Sequence, residues 1–212
     1  MYKNRAEAGK ALAKSLQHYA KAKNTYVMGI APGGLIVASE VAKALSLPFN
    51  IALPERLLAP DSPDLVVGAL SEQRDMWLDE EVILQLNLAP DYVYTQIDMA
   101  KKRIQDATEY FRVPIPHPDL TGKQILLIND GVTTGALMLI QLYSYIKHWS
   151  AHPIPIAPVS SAFGWNRIVS FQKTTHHKSF CPHIEPAVGK IAHFYTENPP
   201  IQKSDLLQIL QS

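Results

Sequence analysis

Apolar residues recur at Ala8, Leu12, Leu16 and Tyr19, with Lys10, Lys14 and Gln17 on the other side. This spacing predicts an amphipathic helix over residues 5–22 capped by Asn4. The period then changes. Residues 26–31 form an unbroken apolar run between Lys23-Asn24 and Pro32-Gly33-Gly34, as expected of a buried strand running into a tight turn. Leu35, Ala38, Val41, Ala42 and Leu45 restore the helical period, and residues 48–53 predict a second strand. Strand, helix and strand make a βαβ unit, which implies a parallel sheet.

Between residues 54 and 90 neither period is sustained. Residues 66–70 and 76–78 carry short strand-like runs, and the stretch predicts a small irregular flap or hood. Asp91 then opens a long helix in which Val93, Ile97, Ala100, Ile104, Ala107 and Phe111 share a stripe, with Lys101, Lys102, Arg103 and Asp106 on a solvated face. Prolines 114, 116 and 118 end it. Residues 124–128 read as a fully buried strand, 129–135 as a loop and 136–149 as a helix. Strands are expected at 154–159 and 191–195, and Ser204 is expected to cap a last helix ending near Leu210. The fold class this predicts is a single α/β domain over residues 1–212, with a mostly parallel sheet, helices on both faces, and a small hood at 54–90 completed by C-terminal pieces.

Composition narrows the function. With 47% hydrophobic residues in 212 the chain can build one core, and 20 basic against 19 acidic residues leave a formal net charge of +1. Such a balance offers no global field for nucleic acid or an anionic membrane, so an anionic ligand must be held by local groups. The single cysteine, Cys181, excludes an internal disulfide and a cysteine-based zinc site, and fits a reducing compartment. Residues 1–10 have no apolar run after their charges, and nowhere do roughly 18 uncharged apolar residues follow one another. The expectation is a soluble, cytoplasmic protein with a small-molecule ligand; assembly as a homodimer is left open.

The strongest local signal is the passage from the buried run 125–128 through Asn129-Asp130-Gly131-Val132-Thr133-Thr134-Gly135 into the helix at Ala136. A strand entering a helix through such a turn presents backbone N–H groups and the positive helix end to an anion at the C-terminal edge of a parallel sheet. Thr133 and Thr134 add hydroxyls, and Gly131 and Gly135 allow close approach to a phosphate. Asp130 is placed to accept hydrogen bonds from sugar hydroxyls, or to share a divalent cation with ligand oxygens. The plainer reading is that Asp130 and Thr133 only cap the helix.

Other candidates are weaker. Residues 29–34 lack the dinucleotide spacing, and Gly122-Lys123 has no glycine five positions before it. His176, His177, Cys181 and His183 match no common zinc pattern and read as a surface loop. Phe163 and Trp165 are expected in the core rather than against a base, and Cys181 as a small buried hydrophobe rather than a nucleophile.

The string Leu127-Ile128-Asn129-Asp130-Gly131-Val132-Thr133-Thr134-Gly135 resembles the diphosphoribose-binding signature of type I phosphoribosyltransferases, in which apolar residues precede two acids and a Thr-Gly phosphate loop. Residues 5–9, Pro32-Gly33-Gly34, Gly68-Ala69, Lys102-Arg103 with Tyr110 and Arg112, and Ala157-Pro158-Val159 are similar in order and spacing to one bacterial subfamily. The resemblance implies that Asp130 binds ribose hydroxyls as the catalytic carboxylate and contributes to a metal site shared with ligand oxygens. It implies Gly131, Val132, Thr133, Thr134 and Gly135 around the 5′-phosphate, with Asn129 beside them. Gly33 and Gly34 would face the pyrophosphate with Mg²⁺ as cofactor.

Four departures bear on that expectation. Asn129 replaces the first acid, Leu137 the last threonine of the phosphate loop, Pro32 an arginine before the two glycines, and Glu55-Arg56 an Arg-Lys pair. Removing one electrostatic donor from a site where negative charge develops costs about 3 kcal/mol, roughly a hundredfold in rate. Arg56 and Arg103 are the candidate replacements. Two expectations follow: a Mg²⁺-dependent transferase that joins ribose 5-phosphate to a base-like acceptor and releases pyrophosphate, or a non-catalytic descendant that binds a ribose phosphate or nucleotide as a regulatory or interaction module. Glu55 is expected to repel a diphosphate more than a single phosphate.

Overall fold

The computed structural model describes residues 1–60, 62–175 and 178–211. Asn4 accepts the Glu7 amide (3.0 Å) and starts α1, Arg5–Ser15. The helix stops short of residue 22: the Gln17 side chain donates to the Ala13 carbonyl (3.0 Å), and a 3-10 turn at Gln17–Tyr19 turns the chain back toward the sheet. Then follow β1 (Thr25–Ile30), α2 (Gly33–Leu45) and β2 (Phe49–Ala52), with β1 and β2 parallel.

The stretch 54–90 is not irregular. β3 (Glu55–Ala59), β4 (Ser62–Leu70) and β5 (Met76–Leu78) form a separate antiparallel sheet in the order β3-β4-β5. Register shifts at Leu57/Leu58 and Leu58/Ala59 break the alternation, so a period-two pattern could not be read from the sequence. A short helix, α3 (Glu80–Gln85), leads into α4, Pro90–Arg112. Val93, Ile97, Ala100 and Ile104 of α4 pack on Leu57, Val67 and Leu70 of the small sheet, so the helix backs the hood. Arg103 keeps a partly solvated side chain and pairs across to Glu55 of β3.

The hood is tied to the main body by buried charge. Arg112 donates to both oxygens of Glu72 (2.6 and 2.7 Å), and also to Asn50 and the Ile51 carbonyl (both 2.8 Å). The fork matches the carboxylate in two places, which is the strong form of such a pair. Asp75 takes Lys147 (2.7 Å) and faces His148 (2.9 Å).

β6 (Gln124–Ile128) and β7 (His152–Ile156), joined by α5 (Ala136–Trp149), complete a four-stranded sheet in the order β2-β1-β6-β7 with every pair parallel. Alternate residues of β6 face opposite ways. Leu126 and Ile128 join α1 and α2 in one core, whereas Ile125 and Leu127 join Met138, Leu142 and Tyr145 of α5 in the other. The chain leaves β1 toward β2 and leaves β6 toward β7, in opposite directions. Right-handed crossovers then place α2 and α5 on opposite faces.

Beyond β7 the chain departs from the sequence expectation. The expected strand 154–159 is two: Pro158 separates β7 from β8 (Val159–Ser161), and the Ala157 amide turns to the Phe180 carbonyl (3.1 Å). α6 (Ala162–Thr175) follows, and β9 (His183–Glu185) pairs with β8. Residues 191–195 form a 3-10 turn, Ile191–Phe194, with a single bridge from Tyr195 to Tyr2, because Ile191 is drawn down onto Gly131 instead of pairing with a strand. α7 spans Lys203–Gln211, so Ser204 lies inside the helix; the Asp205 carboxylate accepts the Gln202 amide (3.1 Å) at its start. Among the described residues no helix is long and apolar enough to cross a membrane.

Candidate functional site

In an open parallel sheet a crevice forms where the strand order reverses direction, at the C-terminal ends of the two strands concerned. Here those are β1 and β6. The turn Ala31-Pro32-Gly33 and the loop 129–135 border a cleft of about 310 Å³, roofed by Arg56 and Val66 of the hood and by Ile191.

The loop 129–135 is held from behind and open in front. Val132 is bridged to Ser160: its N–H reaches the Val159 carbonyl (3.0 Å), and its own carbonyl takes the Ser161 amide (2.8 Å). The Ser161 hydroxyl donates to the Thr133 carbonyl and accepts the Gly164 amide (2.9 Å). Gly164 packs on Thr133 with no room for a Cβ, and Gly135 sits at φ +81° as the residue before α5. Among the described residues, the N–H groups of Gly131, Thr133, Thr134 and Gly135 have no protein acceptor. Together with the start of α5, these open donors make the loop an anion cradle. Neither Asp130 nor Thr133 caps α5: the residue before the helix is Gly135, without a side-chain cap, and the hydroxyl near its first turn is that of Thr134, 3.4 Å from the Ala136 amide.

Asp130 stands at the mouth of this cradle and is engaged by residues far away in sequence. Arg5 Nε donates to Asp130 Oδ2 (2.8 Å), and both side chains are largely buried, at 13% and 15% exposure. The other end of the guanidinium donates to Asn198 and lies over the Tyr195 ring, 5.1 Å from its centroid. The Tyr195 hydroxyl donates to the Asp130 carbonyl. Burial pushes the Asp130 carboxyl above its ordinary value, and Arg5, with a weaker pull from Arg56, offsets this only in part. Asn129 does not act as a second acid: its Oδ1 accepts the Asp130 amide (2.9 Å).

The two glycines after Pro32 separate. Gly33 borders the cleft against Asp130 and Arg5, whereas Gly34 lies underneath, where a Cβ would sit 2.7 Å from the Ile128 carbonyl. On the hood side Arg56 borders the cleft and acts on Asp130 through its charge, without a hydrogen bond or ion pair of its side chain among the described residues. Glu55 does not stand as a bare negative charge: Arg103 Nε meets it at 3.0 Å, and Arg103 also donates to the Arg56 carbonyl (3.0 Å). The expected repulsion of a diphosphate is therefore largely cancelled by Arg103. Leu137, where the resemblance puts a hydroxyl, borders the cleft and packs with Val66 and Ala69 of the hood.

A protein-held Mg²⁺ does not fit this arrangement. Two carboxylates border the cleft, and both are paired, Asp130 with Arg5 and Glu55 with Arg103; among the described residues no group of three His, Cys, Asp or Glu is placed to hold a metal. Of the remaining candidates, Trp165 is core at 6% exposure. Phe163 is exposed and stacks with Arg167, contrary to a core role, at an apolar groove outside the cleft. Cys181 is half-buried rather than core, and burial pushes its thiol up to about 12, which disfavours the thiolate. His176 and His177 lie outside the described residues. Sequence reasoning missed Tyr195, Asn198 and Ser161, and saw Arg5 only as part of a resemblance.

An anion cradle with an adjacent carboxylate, at the switch point of a parallel sheet and beneath a small antiparallel hood, defines the class of type I phosphoribosyltransferase-like domains. The phosphoribosyl transferase domain family matches residues 1–140, and the chain belongs to it. Two Mycobacterium tuberculosis proteins, MT0597 of strain CDC 1551 / Oshkosh and Rv0571c of strain ATCC 25618 / H37Rv, which their names place among the phosphoribosyl transferases, are 30% identical over 140 residues. The match covers 64% of this chain and 30% of each relative, so the chain spans about a third of their length. The crystal structure of TT1426 from Thermus thermophilus superimposes with a TM-score of 0.77 at 22% identity, over 99% of this chain and 97% of that one, and shares its fold.

Proposed function

We propose that the cleft binds a ribose 5-phosphate unit and that the chain transfers it from phosphoribosyl diphosphate to a nitrogenous base or other aromatic nucleophile, releasing pyrophosphate. The observation that carries this reading is the set of open amides at Gly131, Thr133, Thr134 and Gly135, beside the Asp130 carboxylate. The amides and the start of α5 would take the 5′-phosphate, and the free oxygen of Asp130 the ribose hydroxyls. In the transfer the acceptor lone pair forms a bond to C1′ as the bond from C1′ to the pyrophosphate oxygen breaks. That electron pair leaves with pyrophosphate, and the proton the acceptor loses passes to the departing pyrophosphate or to solvent. Arg56 is the cation available to the leaving group, and Ile191 and the hood shield an electron-poor ribose from water.

A second reading, a ligand-binding module without catalysis, is favoured by one observation: Asn129 folds its amide back on the main chain and brings no charge to the ribose. Incubating the protein with phosphoribosyl diphosphate and a panel of bases, with and without Mg²⁺, while measuring pyrophosphate release separates the two. Base-dependent release supports the transferase. A protein that binds ribose 5-phosphate but releases no pyrophosphate with any base leaves the binding module.

A further inference from the structure

We infer that Arg5 is the resident counter-cation of Asp130, so that the cleft takes a ribose phosphate without a divalent ion bound to the protein. The inference rests on the cleft being a ribose 5-phosphate site. Five contacts converge on it. Arg5 reaches Asp130 Oδ2 at 2.8 Å from the first residue of α1. Its guanidinium is fixed from the far side by Asn198 and by the Tyr195 ring, so it is held rather than merely near. Gly33 leaves the space in which the pair meets: a Cβ there would overlap the carboxylate and lie 2.6 Å from Arg5 Nε. Tyr195 ties the same clamp to the Asp130 main chain.

A divalent ion at Asp130 would have to displace a guanidinium that is itself largely buried, or sit beside it against like charge. Asn129 cannot help, because its side-chain oxygen is already engaged. Arg5 thus sets the charge and orientation of the carboxylate, leaving Oδ1 for sugar hydroxyls. It is a positioning residue, and its planar fork suits the role in a way a lysine would not.

The test is calorimetric titration with ribose 5-phosphate in EDTA and in millimolar Mg²⁺. The unmodified protein is expected to bind in EDTA with a dissociation constant within about threefold of that in Mg²⁺. Arg5→Ala is expected to lose about tenfold in EDTA and to regain part of it when Mg²⁺ is added, since the freed carboxylate oxygen can then take the ion. Arg5→Lys should stay between the two and remain indifferent to Mg²⁺. Binding by the unmodified protein that vanishes in EDTA overturns this inference alone, as does an Arg5→Ala defect of equal size in both media, which would mark Arg5 as packing only. No binding in either medium removes the ribose phosphate reading and this inference with it. Should Arg5→Ala not fold, the unmodified protein and Arg5→Lys still decide.

Discussion

Gly33 and Asp130, on the turns after two adjacent strands, approach so closely that no side chain can stand between them. Gly33→Ala would push the carboxylate or Arg5 from its place. The expected result is a loss of about 1–3 kcal/mol in stability, as for other overpacked sites, together with at least tenfold weaker ribose 5-phosphate binding. Denaturant unfolding and calorimetry check both; unchanged affinity would show that the clamp is not part of the ligand site.

Arg56 and Glu55 are neighbours in β3 with different partners, one free toward the cleft and one paired with Arg103. Arg56→Ala should therefore weaken phosphoribosyl diphosphate by about 1–2 kcal/mol more than ribose 5-phosphate, the scale of a charge-assisted hydrogen bond. Equal losses for the two ligands, measured side by side, would place Arg56 away from the diphosphate.

Arg112 and Glu72 are 9% and 10% exposed, so removing one leaves the other charged and buried. Arg112→Ala is expected to destabilise the protein by about 3–5 kcal/mol, and Arg112→Met with Glu72→Leu to recover most of it. Urea unfolding measures both. A mild effect from the single change would mean water reaches Glu72 and the hood is anchored elsewhere.

His117 stacks on Trp149, with ring centroids 4.8 Å apart and planes 6° from parallel. Burial and the charge of Arg112 hold its imidazole below the ordinary value, against smaller opposing pulls from the Pro118 carbonyl and Glu72. The unfolded chain then takes up this proton first, so stability falls as pH drops from about 6.5 toward the lower folded value. Asp130, raised by burial, works in the opposite sense above its ordinary value. His117→Phe keeps the stacking and removes the first effect. Its stability loss between pH 7 and pH 5 should be smaller than that of the unmodified protein; an equal loss would clear His117 of the role.

The parts legible in the sequence are those whose cause is local. The strand 124–128 and the helix from Ala136 to Trp149 stand as expected, because an unbroken apolar run and the loop that ends it are written in consecutive residues. The loop 129–135 between them is marked in the same local way, by two glycines and two threonines between a strand and a helix. The hood was not, because its register shifts scramble the alternation that marks a strand. Residues 191–195 carry strand-like residues, yet their fold is decided by the hollow over Gly131 that Ile191 fills. The Arg5–Asp130 pair joins residues 125 positions apart, and no local period records such a contact. Phe163 is exposed, against the core expectation, because it lies under Arg167 at a groove shared with Met76 and Trp77, contacts its sequence neighbours do not record.

Because Asp130 is gripped by Arg5, Gly33 and Tyr195, no contiguous stretch of the chain holds the cleft by itself. Local opening of any one of those segments dismantles the pocket, so only the globally folded state presents it to a ligand. A molecule that enters stabilises the whole cooperative unit, by about 2.7 kcal/mol at a hundred times its dissociation constant. The melting temperature of the entire protein therefore serves as the gauge of occupancy, and a library of phosphorylated metabolites can be ranked by heat alone, without turnover.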